Sequence, residues 1–169
     1  MASTFGTNVR VSVFGQSHAP AVGVVIDGLP AGFAPDMEQL RAFMRRRAPG
    51  QSLLSTQRAE ADLFEVLSGL VDGKLCGAPL CMVIRNSDTR GQDYAGLKNT
   101  PRPGHADWPA QVKYRGHQDA AGGGHFSGRL TAPLCLAGGV MLQLLAQQGI
   151  RVGAHIAQIA DVQDTPFDP

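Results

Sequence analysis

The sequence has few cysteines, and their number excludes two common classes of small protein. Cys76, Cys81 and Cys135 are odd in number, and none belongs to a C-x-x-C pair. A disulfide framework needs an even set of cysteines, and a zinc ribbon needs such pairs. The five histidines include no H-E-x-x-H pattern either, so the sequence predicts no metal site. We therefore expect reduced thiols in a cytoplasmic protein.

The chain also lacks an excess of charge of either sign. Its formal net charge is +1, its pI is about 7.8, and only 6% of its residues are aromatic. Such a balance provides no overall attraction to nucleic acid or to anionic membranes, so any anion site must be a local cluster. Nucleic-acid binding through the basic run 45–47 is the least favoured interpretation, because no aromatic platform accompanies it.

Targeting and membrane-spanning segments are missing as well. The N-terminus has no basic region followed by an apolar run, so no secretory signal is visible. The most apolar stretch, residues 130–146, contains Pro133 and Gln143 and is shorter than the ~20 residues that a membrane span needs. We expect it to be a buried helix. With 169 residues and 43% hydrophobic content, the chain can build the core of one domain.

Glycine and proline, by contrast, are abundant and spread along the chain, which indicates many turns between short elements. Alternation and β-branched residues predict strands, and apolar residues at helical spacing predict helices. The predicted strands are 9–14, 22–29, 63–70, 80–84 and 152–162, with 63–70 and 80–84 paired about an Asp72-Gly73 turn. Three helices are predicted. The first begins at Asp36 and ends before Pro49, the second is short and begins at Asp107, and the third runs from near residue 130 to near Gly149. The pattern indicates an α+β fold with antiparallel sheet packed on helices.

The first candidate functional cluster is the glycine-containing turn 15–18, which ends in His18. A histidine has an ordinary pKa of about 6.5, so it can act as a general acid near neutral pH. The alternative is a loop histidine that only bonds to the backbone.

The second cluster is the segment 102–107, in which two prolines and a glycine surround His105. A rigid backbone suits the presentation of a catalytic group. Asp107 either orients the His105 imidazole or caps the following helix, and capping is the favoured role.

The third cluster is the glycine-rich segment 122–129 at a predicted helix start. Exposed amide groups and the positive end of a helix favour an anion there, although glycine runs before helices are also ordinary turns. The run 45–47 is a further anion candidate or simply a solvated helix end. His117 and His155 lie outside these clusters, and we interpret both as structural.

Taken in order, these clusters resemble the signature motifs of the chorismate synthase family. The matching segments are 15–18, 24–30, 45–50, 56–58, 85–88, 92–94, 102–107 and 122–124. They span nearly the whole chain.

The resemblance implies a β-α-β sandwich with antiparallel sheets, a homotetramer, and a reaction. That reaction is the 1,4-anti elimination of phosphate from 5-enolpyruvylshikimate 3-phosphate to give chorismate, and it depends on reduced FMN. By resemblance, His18 protonates the departing phosphate and His105 protonates or polarises the flavin. Arg46 and Arg129 are expected to hold the substrate, whose phosphate and carboxylates suit arginine forks.

The resemblance also implies the cofactor contacts. The residues that match flavin-binding positions are Gly124, His125, Phe126 and Ser127. The position of Arg46 is linked in the family to NADPH, which some members use to reduce their flavin.

This chain departs from the family's commoner pattern in several places. Gln16 and Ala19 stand where Glu and Gly are usual, and Leu53 and Ala121 each stand where an Arg is usual. His125-Phe126 takes the place of Arg-Ser, and Leu130 takes the place of Glu. Members of the family also continue well beyond residue 169, and their further part supplies flavin contacts and a carboxylate. We therefore expect residues 1–169 to form a single domain, the N-terminal part of that fold, truncated at Pro169. The alternative is a non-catalytic flavin- or anion-binding module.

Overall fold

A computed structural model of the chain describes residues 3–48, 62–87 and 100–166. The strands in these ranges are β1 (Thr4–Phe5), β2 (Arg10–Gly15), β3 (Ala21–Asp27), β4 (Phe64–Ser68), β5 (Leu70–Val71), β6 (Lys74–Leu75), β7 (Leu80–Arg85), β8 (Gln158–Ile159) and β9 (Val162–Gln163). The α-helices are α1 (Met37–Arg47), α2 (Asp107–Lys113) and α3 (Thr131–Gln147), and 3₁₀ segments occupy Ala121–Phe126 and Gly128–Leu130.

Five of the strands form an antiparallel sheet in the order β1-β2-β3-β7-β4. Val13 lies opposite Val24, and Val24 lies opposite Met82, so these side chains share one face of the sheet and are buried. The predicted strands 9–14 and 22–29 are confirmed, with slightly different bounds. β3 ends at Asp27 because Gly28 turns the chain with a positive φ of 82°.

The predicted pairing of 63–70 with 80–84 is also confirmed, since Phe64 lies opposite Ile84. The Asp72-Gly73 turn, however, closes a separate small hairpin of β5 and β6 rather than joining the two long strands directly. Both turn residues have positive φ, 48° and 75°, which is the geometry of a type I′ turn.

Two helices cover the inner face of the sheet. α1 begins as predicted, because the Asp36 carboxylate accepts a hydrogen bond of 2.9 Å from the Gln39 amide. α1 packs on α3 at Gly139, where an added Cβ would lie 2.4 Å from Leu40 Cδ1. The described residues therefore form one β layer and one helical layer, which confirms the α+β class with antiparallel sheet on helices.

α3 is predominantly apolar and contains no charged residue. Together with the preceding 3₁₀ turn, Gly128–Gln147 is long and apolar enough to cross a membrane by length and composition alone. Its packing gives a different reason for the composition, because Leu136 and Val140 are fully buried in the core beneath the sheet. The helix predicted over 130–146 is confirmed, as a core helix buried along one face.

The strand predicted over 152–162 is wrong. Only β8 and β9 form there, as an exposed two-stranded hairpin that is separate from the main sheet. Ala160 has a positive φ of 51° and reverses the chain after Ile159, so the apolar pattern is divided between two short strands. Ile156, Ile159 and Val162 remain exposed.

Truncation of Leu136 tests the role of α3 in the core. We expect Leu136→Ala to lower the free energy of unfolding by about 2–5 kcal/mol, because it leaves a cavity beneath the sheet. Urea denaturation measures the change, and Leu134→Ala, on the same helix but 42% exposed, is the matched control. Equal losses in the two variants would contradict the packing described here.

Candidate functional site

The turn that carries His18 joins β2 to β3, and it is held by Asn86, the residue that follows β7. Asn86 Nδ2 donates hydrogen bonds to the carbonyl oxygens of Gln16 (3.1 Å) and Ala19 (2.7 Å). The Asn86 side-chain oxygen in turn accepts one of 3.0 Å from Arg129 Nε. Asn86 therefore fixes the turn from both ends, and the sequence pattern did not assign it this role.

The triple glycine lies directly against this turn. Gly122, Gly123 and Gly124 have φ values of 58°, 87° and 55°, a run of left-handed conformations that residues with a Cβ adopt at a cost. The Ser17 amide donates a hydrogen bond of 3.0 Å to the carbonyl of Gly124. The glycine segment and the His18 turn thus form one unit.

Both candidate catalytic histidines pack against the glycines. An added Cβ on Gly122 would lie 2.3 Å from His18 Cε1, and one on Gly123 would lie 2.8 Å from His105 Cε1. Since adjacent Cα atoms are roughly 3.8 Å apart, the two imidazoles meet neighbouring residues of the same short segment. The structure therefore brings His18 and His105 together, although about half of the chain separates them in sequence.

His105 is held by a carboxylate and not by the backbone alone. Its Nδ1 lies 2.6 Å from Asp107 Oδ1, while Arg102 Nε donates to Asp107 Oδ2 at 2.8 Å. The hydrogen bond from Arg102 is the main reason that the pKa of Asp107 lies far below its usual range. The favoured interpretation of Asp107 as a helix cap is wrong: Ala106 is the N-cap residue, and the Asp107 carboxylate turns back toward Arg102.

Arg129 lies at the start of α3 in a buried ionic cluster. Its guanidinium pairs with Asp62, whose other oxygen pairs with Arg47, and the Asp62 and Arg129 side chains are 0% and 2% exposed. A substrate-binding role for Arg129 stays a prediction. Within the basic run 45–47, sequence reasoning selected Arg46 as the substrate contact, whereas Arg47 is the residue that joins this cluster, because one step along a helix turns a side chain by about 100°. It did not identify Asp62.

Arg46 lies elsewhere, on the exposed side of α1. Its guanidinium stands over the Phe43 ring, 5.8 Å from the ring centroid, and it lines a groove of about 340 Å³ between α1 and α3. The structure does not bring Arg46 to the His18 and His105 cluster. The other matched segments, 49–50, 56–58, 88 and 92–94, lie outside the described residues, as do Leu53 and Pro169.

A second cavity, also of about 340 Å³, adjoins the glycine segment. Its lining consists of Gln16, Tyr114, His117, Gln118, Asp119, His125 and Phe126. The Tyr114 and Phe126 rings lie 6.3 Å apart, and Gln118 Oε1 is buried without a hydrogen-bond partner among the described residues. His117, interpreted from sequence as structural, therefore faces a cavity that only the folded chain reveals.

The residues expected to contact the cofactor also have structural partners. His125 Nδ1 lies 2.7 Å from the Gly15 carbonyl, so that nitrogen carries a proton, and Nε2 bonds to the Ser3 hydroxyl at 2.6 Å. The Ser127 hydroxyl accepts a hydrogen bond of 3.3 Å from the Arg129 amide and caps the 3₁₀ turn. His125 thus attaches the N-terminal segment to the site.

Alanine substitutions at the two glycines test the packing of the histidines. We expect Gly122→Ala and Gly123→Ala each to lower the free energy of unfolding by about 1–3 kcal/mol from backbone strain. Each should also displace one imidazole, His18 or His105 respectively, which the ring ¹H–¹³C NMR signals report. Gly128→Ala, where an added Cβ meets open space, is the control. An unchanged His18 signal in Gly122→Ala would contradict the close approach.

Comparison with known proteins places this geometry in a family. The family model for chorismate synthase matches residues 9–168. The chain is 49% identical over 168 residues to the chorismate synthase of Lancefieldella parvula, covering 99% of this chain and 44% of that protein. It is 45% identical over 155 residues to that of Korarchaeum cryptofilum, covering 92% and 43% respectively.

A chorismate synthase crystal structure superimposes with a TM-score of 0.60 at 24% identity, over 93% of this chain and 39% of that one, which shows the shared fold. The chain spans less than half the length of the curated relatives that it matches. From the family match over residues 9–168, we conclude that the chain belongs to the chorismate synthase family.

Proposed function

We propose that this chain contributes to the chorismate synthase reaction, in which 5-enolpyruvylshikimate 3-phosphate loses phosphate and a proton by 1,4-anti elimination to give chorismate. The observation that carries the proposal is the packing of His18 and His105 against the adjacent glycines 122 and 123. Two titratable groups on one glycine segment can serve one small substrate from neighbouring positions.

His18 is the proposed acid for the departing phosphate. The carbon–oxygen bond to phosphate breaks, the ring loses a proton and gains a double bond, and the phosphate leaves with increased negative charge. A protonated imidazole that meets this charge lowers the barrier. The hydrogen bonds from Asn86 fix the backbone of the turn that carries the imidazole, so little backbone reorganisation is needed.

The cavity beside the glycine segment is lined by Tyr114, Phe126 and the imidazoles of His117 and His125, a set that fits a planar, polar ring. The buried Gln118 oxygen is available to a ring N–H donor. We propose that reduced FMN is the cofactor and that Gly124, His125, Phe126 and Ser127 lie along its site. Bound FMN would supply electron density to the substrate without net redox change. The proposed part of His105 is to protonate or polarise the flavin.

Arg129 and Arg46 are the proposed anion-binding arginines. Arg129 is supported by its hydrogen bond to Asn86, the residue that holds the His18 turn. Arg46 is exposed in a separate groove, which agrees better with a contact to NADPH, a possible reductant of the flavin, than with direct substrate contact. A cytoplasmic homotetramer is the proposed setting. The exposed apolar side chains of Leu134 on α3 and of Ile159 and Val162 in the β8–β9 hairpin support assembly with further copies.

A non-catalytic flavin-binding module is the second candidate. It is favoured by the buried pairing of Arg129 with Asp62, which neutralises part of the charge that a phosphate would need. Tight binding of FMN without turnover, in this chain and in longer chains that contain it, would distinguish this candidate.

The test is anaerobic production of chorismate from 5-enolpyruvylshikimate 3-phosphate with chemically reduced FMN. We expect His18→Ala and His105→Ala each to reduce the rate by about 10²–10⁴-fold, the usual contribution of a general acid or base. His155→Ala, in the exposed segment before the β8–β9 hairpin, is the control and should retain the wild-type rate.

If the 169 residues show no activity, the same variants are measured after this chain is joined to the remaining part of a curated relative. Recovery that depends on both His18 and His105 supports the proposal. An active joined protein that is indifferent to both substitutions would contradict it.

A further inference from the structure

Among the described residues, the Asp107 carboxylate contacts the Arg102 side chain, the Arg102 backbone amide and the His105 imidazole. Oδ2 accepts hydrogen bonds from the Arg102 amide (3.0 Å) and from Arg102 Nε (2.8 Å). Oδ1 accepts one of 2.9 Å from Arg102 Nη2 and lies 2.6 Å from His105 Nδ1. Each oxygen therefore faces two donors or potential donors, and the carboxylate is fixed in position and rotation.

The contacts of His105 Nδ1 decide which tautomer the imidazole adopts. Nδ1 lies 2.6 Å from a carboxylate oxygen and 3.2 Å from Arg102 Nη2. A carboxylate can only accept, so a lone pair on Nδ1 would face negative charge at the shorter distance. A proton on Nδ1 instead forms a charge-assisted bond to Asp107. We infer that Asp107 is the positioning residue of His105, holding its imidazole as the Nδ1–H tautomer with Nε2 directed to the triple glycine.

The consequence for chemistry lies at Nε2. This atom would be 2.9 Å from a Cβ added to Gly123, so it faces the same backbone segment that His18 contacts. With Nδ1 committed to Asp107, the only nitrogen of His105 that can take up or release a proton toward a ligand is Nε2. This consequence for turnover rests on the proposed function, whereas the tautomer itself does not.

An aspartate is required because an amide cannot satisfy the same donors. In Asp107→Asn, one carboxylate oxygen becomes an NH₂ group. Placed at the Oδ2 position, that group would face two Arg102 donors; placed at the Oδ1 position, it would face one Arg102 donor and His105. The Oδ1 position therefore has fewer donor–donor conflicts, and there the NH₂ group favours a lone pair on Nδ1. The substitution thus drives His105 toward the Nε2–H tautomer.

The experiment measures the ¹⁵N chemical shifts of the imidazole nitrogens in histidine-labelled protein, with His105 assigned by its loss in His105→Ala. We expect the neutral wild-type ring to carry its proton on Nδ1 and the Asp107→Asn ring to carry it on Nε2. In the active protein defined by the assay above, kcat should fall on the order of 10²-fold with KM little changed, as for loss of a group that orients a catalytic histidine.

The chain provides a matched control, because His155 Nδ1 and Asp164 form a second histidine–aspartate pair at 3.1 Å. Asp164→Asn removes the same charge from the exposed hairpin and should change the His155 signals while leaving His105 and the rate unaltered. Circular dichroism checks that both variants keep the wild-type fold.

The outcomes separate the two claims. A wild-type His105 in the Nε2–H form, or an Asp107→Asn ring that keeps its proton on Nδ1, overturns the positioning role whether or not the protein is active. If the tautomer switches in Asp107→Asn but kcat is unchanged, the role of Asp107 in turnover is overturned. An inactive wild type with the expected tautomers counts against the proposed function and supports the assigned geometry.

Discussion

The site depends on the absence of side chains at Gly122 and Gly123. His18 comes from a turn between two strands and His105 from the loop before α2, so nothing local holds the two imidazoles near each other. The bare backbone between them is the surface on which both pack. Asn86 and Asp107 then act from outside, each fixing one histidine against this backbone. The geometry is therefore a property of the tertiary fold and not of any one motif.

The parts of this arrangement that were predictable from sequence are those with a local cause. β2 and β3 follow from alternating β-branched residues, and α1 follows from Asp36 and its helical spacing, because each pattern acts within a few residues. The strand expected at 152–162 failed for the complementary reason. A turn at Ala160 interrupts its apolar pattern, and no strand of the main sheet pairs with it among the described residues.

The contacts that complete the site were not predictable, because they join residues far apart in sequence. Asp62 could not be matched to Arg47 and Arg129 from spacing, and the partner of Gln16 could not be known to be Asn86. Asp107 shows the same limit at short range. Its position at the start of a predicted helix suggested a cap, but the Arg102 guanidinium attracts its carboxylate more strongly than helix amides do.

The ionic cluster at the start of α3 concentrates positive charge in a chain that has almost no net charge. Arg47 and Arg129 share the single carboxylate of Asp62, so the three charges sum to about +1. They lie at the amino end of α3, where the helix dipole adds further positive potential. Because Asp62 and Arg129 are buried, solvent screens this excess only weakly. This local positive potential, in a chain of nearly balanced overall charge, supports the anion-binding role proposed for Arg129.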